Sequence, residues 1–180
     1  MKTQMAIEHV LPARLARWVA ADPDWDQVYA EELPRVFNFF RYRIGNTADA
    51  EDLTARTFEK AWRSRDRYRL DVAGLSTWLL TIARNVAIDH LRARRPLVPI
   101  EDAAAVPSAT RTPEEHALQQ SDADRLEVLL TRLSPREREL IAFKYGGEMT
   151  NRAIARATGL SESNVGTILH RAVERLRAQW

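Results

Sequence analysis

Near the end of the chain, Ser163, Asn164, Thr167, His170, Arg171 and Arg175 follow one another at helical spacing. On a helix they share one polar face. Their types suit the edges of base pairs: arginine can grip guanine with two donors, asparagine pairs with adenine, and threonine offers a hydroxyl or a methyl group. A second group, Arg84, Asn85, Arg92, Arg94 and Arg95, stands at the end of another amphipathic stretch. Its charge suits a phosphate backbone, and a helix C-terminus favours such cations in any case. Residue types for catalysis are missing. His9, His90, His116 and His170 lie far apart, without acidic or histidine partners at metal-ligand spacing, and there is no cysteine, glycine-rich phosphate loop or nucleophile elbow. The pattern predicts no enzyme, no cofactor and no small-molecule substrate.

The elements that must carry these residues read as helices throughout. In the stretch SESNVGTILHRAVERLR, residues 161–177, Val165, Ile168 or Leu169, Ala172 and Leu176 fall on the inner side. A short helix, TNRAIARAT, precedes it, with Gly159 at the turn and Ser161 as a cap. Helix, tight turn and second helix is the spacing of a helix-turn-helix, whose second helix enters the major groove. Thr112-Pro113-Glu114-Glu115 and Ser134-Pro135-Arg136-Glu137 combine a cap, a proline at the first helical position and a capping glutamate, and so open two further helices. The second carries Leu140, Ile141 and Tyr145 and ends at Gly146-Gly147.

Upstream, Trp25, Val28, Tyr29, Val36, Phe37 and Phe40 form an apolar stripe in which Pro34 should bend or restart the helix. Asn46 and Thr47 are cap-type residues for a helix with Leu53, Thr57, Phe58, Ala61 and Trp62 on its apolar side. Ser76 is placed to cap a third, which buries Leu79, Ile82, Ala83, Val86 and Leu91. Ile7, Val10, Leu11, Leu15 and Trp18 suggest one more helix at the N-terminus.

Residues 96–112 hold prolines at 96, 99 and 107 and no sustained periodicity, which reads as an extended linker. Charge divides the chain the same way. Basic side chains outnumber acidic ones nine to three in residues 60–95 and ten to six in 125–180, against one to six between them. Two basic blocks parted by an acidic one point to two polyanion-contacting surfaces. With 45% apolar and 29% charged residues, no apolar run of spanning length and no signal-like N-terminus, the chain reads as a globular cytoplasmic protein.

Four stretches, DAEDLTARTFEKAW, STWLLTIARNVAIDHLRARR, LSPREREL and GLSESNVGTILHRAVERLR, come in this order around the linker. In them the chain resembles an extracytoplasmic-function (ECF) sigma factor of bacterial RNA polymerase. The resemblance implies an all-α fold of two small helical domains joined by an extended linker: region 2 over residues 25–95 and region 4 over residues 113–180, with residues 1–24 as an N-terminal extension. It implies contact with core RNA polymerase through Asp49, Glu51, Asp52 and Arg56, although Ala55 and Arg56 replace the glutamine and acidic residue common in the family. It implies recognition and melting of the -10 element by the loop 69–75, with Arg69 and Asp71, and by Arg84, Asn85, Arg92, Arg94 and Arg95. The -35 element would be read by Ser163, Asn164, Thr167, His170, Arg171 and Arg175. Gly166 and Ile168 stand where many relatives carry basic residues, so specificity must lean on Thr167, His170 and Arg171 or on a close backbone approach at Gly166. Promoter DNA and core polymerase are the implied partners, together with an anti-sigma factor of the kind that commonly holds such proteins inactive. The residues alone leave one rival open: a stand-alone helix-turn-helix regulator with an N-terminal sensor or dimerisation domain.

Overall fold

The computed structural model describes residues 23–68, 74–94 and 122–180. The described residues are helical, with no strand among them. The chain divides into two units, Met1–Glu31 and Glu32–Trp180. In the first, the Asp24 carboxylate accepts from the Asp26 amide at 3.1 Å and so opens α1, Trp25–Ile44. The expected helix around residues 7–18, the linker, and the helix start at Thr112-Pro113 lie outside the described residues.

Pro34 does not restart α1, which runs through it as one helix. The proline is exposed, so the carbonyl it leaves without an amide partner faces water. Gly45, at φ 83°, turns the chain into α2, Thr47–Arg63. There Asn46 caps as its type predicts, its side chain accepting from the Asp49 amide at 2.9 Å. Thr54 and Thr57 are buried on this helix, and each hydroxyl is satisfied by a carbonyl four residues back, Ala50 and Leu53.

Helix α3, Leu75–Ala93, is capped by Gly74 and not by Ser76. The Ser76 hydroxyl instead donates to Glu32, a buried carboxylate that also takes a bond from Arg35 at 3.3 Å. A buried carboxylate needs donors more than a helix end at the surface needs a cap. Helices α2 and α3 pack along their length. Their buried faces are Leu53, Thr57 and Ala61 on one and Leu79, Leu80, Ala83, Val86 and Ala87 on the other. Trp62, expected on the apolar side of α2, is half exposed, as are Tyr29 and Tyr145.

After α4, Asp122–Thr131, comes α5, Pro135–Ile141, with the capping box its sequence predicts. It widens into a π-helical turn, Ala142–Gly146, before α6, Asn151–Thr158. Gly159 takes the left-handed conformation at φ 74°, as a helix C-terminus favours. Helix α7, Glu162–Arg177, then starts on Ser161. Helices α5, α6 and α7 bury Leu140, Ile141, Ile154, Val165 and Ala172.

Candidate nucleic-acid interface

The geometry of α7 follows from its ends and its stripe. The Ser161 hydroxyl accepts from the Asn164 amide at 3.2 Å, satisfying one of the helix's unpaired donors. Val165, Leu169 and Ala172 are buried, and the helix packs on α5 and α6. That fixes the opposite side outward. Ser163, Asn164, Thr167, His170, Arg171 and Arg175 are all exposed, so the six are brought together on one face.

Two of them are already engaged. The Thr167 hydroxyl donates to the Ser163 carbonyl at 3.0 Å, which leaves its methyl and an oxygen lone pair for a ligand. Arg175 pairs with Glu137 at 2.8 Å. Burial pushes the Glu137 carboxyl up, but the Ser134 hydroxyl and amide together with Arg175 outweigh it and hold the group below its ordinary value. Helix α6 adds Arg152 and Arg156, both exposed and one turn apart. They escaped the sequence reading, although their four-residue spacing on the first helix of a helix-turn-helix was the available signal. That helix crosses the DNA backbone in such motifs.

The residues expected to hold the -10 element are not gathered in the same way. Asn85 and Arg92 are exposed on α3. Arg84 is three-quarters covered, and its Nε donates at 2.9 Å to Glu139, a buried carboxylate on α5. Arg94 donates at 2.7 Å to Asp49 on α2. Arg69, Asp71 and Arg95 lie outside the described residues. At the end of α2, Arg65 stacks on the Trp62 ring at 4.3 Å, and Tyr68 lies against Trp78 at 5.1 Å. Burial raises the Tyr68 hydroxyl above its ordinary value and keeps it a neutral donor.

Of the four expected polymerase contacts, Glu51, Asp52 and Arg56 are exposed on the outer face of α2. Asp52 and Arg56 pair one turn apart at 2.9 Å. Asp49 turns inward to Arg94 and His90. No cluster of metal-ligating side chains occurs among the described residues. Nor is any described helix long and apolar enough to cross a membrane.

An all-α chain with a helix-turn-helix at its end and a basic helical unit before it is of a DNA-binding class, and comparison with known proteins narrows it. Sigma-70 region 2 matches residues 28–96 and sigma-70 region 4 matches residues 123–176. The RNA polymerase sigma factor CarQ of Myxococcus xanthus is 33% identical over 160 residues, covering 87% of this chain and 89% of CarQ. The ECF RNA polymerase sigma factor RpoE of Cereibacter sphaeroides is 28% identical over 84% of this chain and 83% of its own length. The ECF sigma factor BldN of Streptomyces coelicolor is 28% identical over 83% of this chain, which spans only 58% of BldN. Among solved structures, the sigma factor RpoE of Bartonella quintana, crystallised with the anti-sigma factor NepR, superposes with a TM-score of 0.71 at 26% identity. That match covers 87% of this chain and 96% of RpoE. The chain belongs to the ECF sigma factors of the sigma-70 family.

Proposed function

We propose that this chain is a promoter-specificity subunit that binds core RNA polymerase and directs initiation at its own set of promoters. The observation that carries the reading is the α7 face, where six base- and phosphate-seeking side chains stand exposed on a helix anchored by Val165, Leu169 and Ala172. In this reading α7 lies in the major groove of the -35 element, with Arg171, His170 and Thr167 at base edges and Arg152 and Arg156 at phosphates. The outer face of α2, with Glu51, Asp52 and Arg56, docks on the polymerase. The loop 69–75, Arg84, Asn85 and Arg92 on α3, and Arg94 and Arg95 after it in sequence hold the separated strand at the -10 element, where capture of an unstacked base is offset by a pocket and phosphate contacts.

Division into region 2 over residues 25–95 and region 4 over residues 113–180 follows from the same reading. It assigns no reaction to the chain, and it places the protein in the cytoplasm with the polymerase. Similarity to RpoE of Bartonella quintana, solved with NepR, supports an anti-sigma factor as a further partner. The match of residues 28–96 to sigma-70 region 2 disfavours the stand-alone regulator, which has no use for a polymerase-docking segment.

Run-off transcription with purified core polymerase tests this. The chain should confer transcription from promoters of ECF type, while Arg84→Ala and Asn85→Ala reduce permanganate reactivity at the -10 region. Tight binding to duplex DNA combined with no transcription from any such promoter would overturn the reading.

A further inference from the structure

Resemblance assigns Asp49 to the polymerase and Arg94 to the -10 element, yet the two side chains meet: Arg94 Nη1 donates to Asp49 Oδ2 at 2.7 Å. Helix ends bring them together. Asp49 stands in the first turn of α2, its amide already bonded by the Asn46 side chain, where the helix dipole favours negative charge. Arg94 caps the C-terminus of α3, where the dipole favours a cation. The two helices pack along their length, and each charge is favoured by its own helix before it meets the other.

His90 completes the corner. It sits one turn before Arg94 on α3, and its Nε2 lies 4.0 Å from the same carboxylate oxygen, buried, beyond hydrogen-bonding distance and without a hydrogen-bond partner. The imidazole therefore walls one side of Asp49 without competing for it. Exposure is divided unequally, since the Asp49 side chain is three-quarters covered and most of Arg94 faces water. The carboxylate is thus withdrawn from the outer face of α2, where Glu51 and Asp52 stand exposed. The guanidinium keeps donors in reserve, because the bond from Nη1 uses only one of its five N–H groups.

Resting on the sigma-factor reading, we propose that Asp49 is a positioning residue for promoter DNA and not a polymerase contact: it holds the Arg94 guanidinium so that the remaining donors meet a phosphate beside the -10 element.

Two effects oppose each other in this arrangement. A carboxylate near a phosphate repels it, but Asp49 is already neutralised by Arg94, and water and salt screen what is left. Against that stands side-chain freedom. Arginine carries as much rotamer entropy as any residue, and a guanidinium fixed by one bond has less of it to lose on meeting a second partner. Orientation should outweigh repulsion, so removing the charge of Asp49 weakens DNA binding although it makes the surface more positive. A simple charge count gives the opposite sign.

The full chain assembled with core polymerase tests this on a fork-junction DNA carrying the -10 element, followed by fluorescence anisotropy at low salt. Asp49→Asn removes the charge and nearly keeps the shape. It should bind core polymerase within about twofold of wild type and the fork junction about threefold more weakly, the scale of a partly exposed ion pair. Arg94→Ala should weaken fork binding by more, and in that background Asp49→Asn should cost nothing further. A side chain that merely held the fold would lose affinity in both backgrounds. Melting followed by circular dichroism shows whether each variant folds, and Asp49→Ser, equally suited to a helix's first turn, repeats the test should Asp49→Asn not fold. Reduced affinity of the folded variant for core polymerase would make Asp49 a docking residue and overturn the proposal. Unchanged or tighter fork binding would overturn it too, as would a loss that persists without Arg94. Failure of the wild-type chain to bind core polymerase at all would overturn the sigma-factor reading itself, an outcome that no Asp49 variant can mimic.

Discussion

Gly166 sits in the interior of α7, where the -35 reading requires either side chains around it or a backbone brought close to DNA. The packing around Gly166 supports the first. A Cβ at Gly166 would meet only the side-chain amide of Asn151 on α6, at 3.6 Å, which is ordinary van der Waals contact. The position faces the neighbouring helix and is half-buried, so glycine there is neither forced by a clash nor aimed into a groove. Glycine in a helix interior is about 0.8–1 kcal/mol less favourable than alanine, partly because it leaves the unfolded chain more freedom to lose. Partial covering of the Asn151 amide takes back a few tenths of that. Gly166→Ala is therefore expected to stabilise the protein by about 0.5–1 kcal/mol, a rise in Tm of roughly 1–4 °C for a chain of this size. Binding to a -35 duplex should stay within about twofold of wild type. Differential scanning calorimetry and a duplex-binding titration on the same preparation give both numbers. A lower Tm would refute the packing argument, and a tenfold loss of duplex affinity at raised Tm would show that DNA approaches the backbone here.

Other outcomes follow from single contacts. Arg171→Ala should weaken -35 duplex binding by about 1–3 kcal/mol and relax one base position, whereas Arg156→Ala should weaken all sequences alike and lower the salt slope by about one; equal losses on matched and scrambled duplexes for Arg171→Ala would make it a phosphate contact instead. The depressed Glu137 carboxyl binds fewer protons in the folded than in the unfolded chain, so its stabilisation is complete above the ordinary value of 4.5 and is lost as pH falls through the folded value. Glu137→Gln should accordingly flatten the acid limb of a urea-unfolding series below about pH 5, and an unchanged limb would remove Glu137 from the account.

What was legible in the sequence was local. Asn46, Ser134-Pro135-Glu137, Thr150, Gly159 and Ser161 each act on a backbone group within a few residues, and each stands where its type predicts. The outward face of α7 was equally legible, because a buried stripe of Val165, Leu169 and Ala172 leaves its opposite side no choice. Where a distant group entered, local reading failed. Ser76 left its helix end for Glu32, 44 residues away. Phe39 was passed over beside Phe40 because the surface that covers it is the π-turn at Phe143, which no periodicity in α1 announces. Gly146 read as a helix stop and is also the point of contact with α1.

Three arginines expected at DNA are held by carboxylates in the free chain, and their burial sets how each can be released. The Arg94 and Arg175 side chains are 60% and 47% exposed, with partners Asp49 and Glu137 at 23% and 13%. Arg84 is 24% exposed, and Glu139 only 6%. Pairs open to solvent contribute about 0–1 kcal/mol and are screened by salt, because ions and water replace the partner at little cost. Breaking a buried pair strands a desolvated charge and costs about 3–5 kcal/mol. Salt alone should therefore free Arg94 and Arg175 while Arg84 stays bound to Glu139. Guanidinium proton exchange followed by NMR checks this. The Arg84 Nε–H should keep its slow exchange as ionic strength rises toward 1 M, where the screening length is about 3 Å, while the Arg94 and Arg175 guanidinium signals broaden. Loss of protection at Arg84 along with the other two would mean that Glu139 holds it no more firmly than a surface pair.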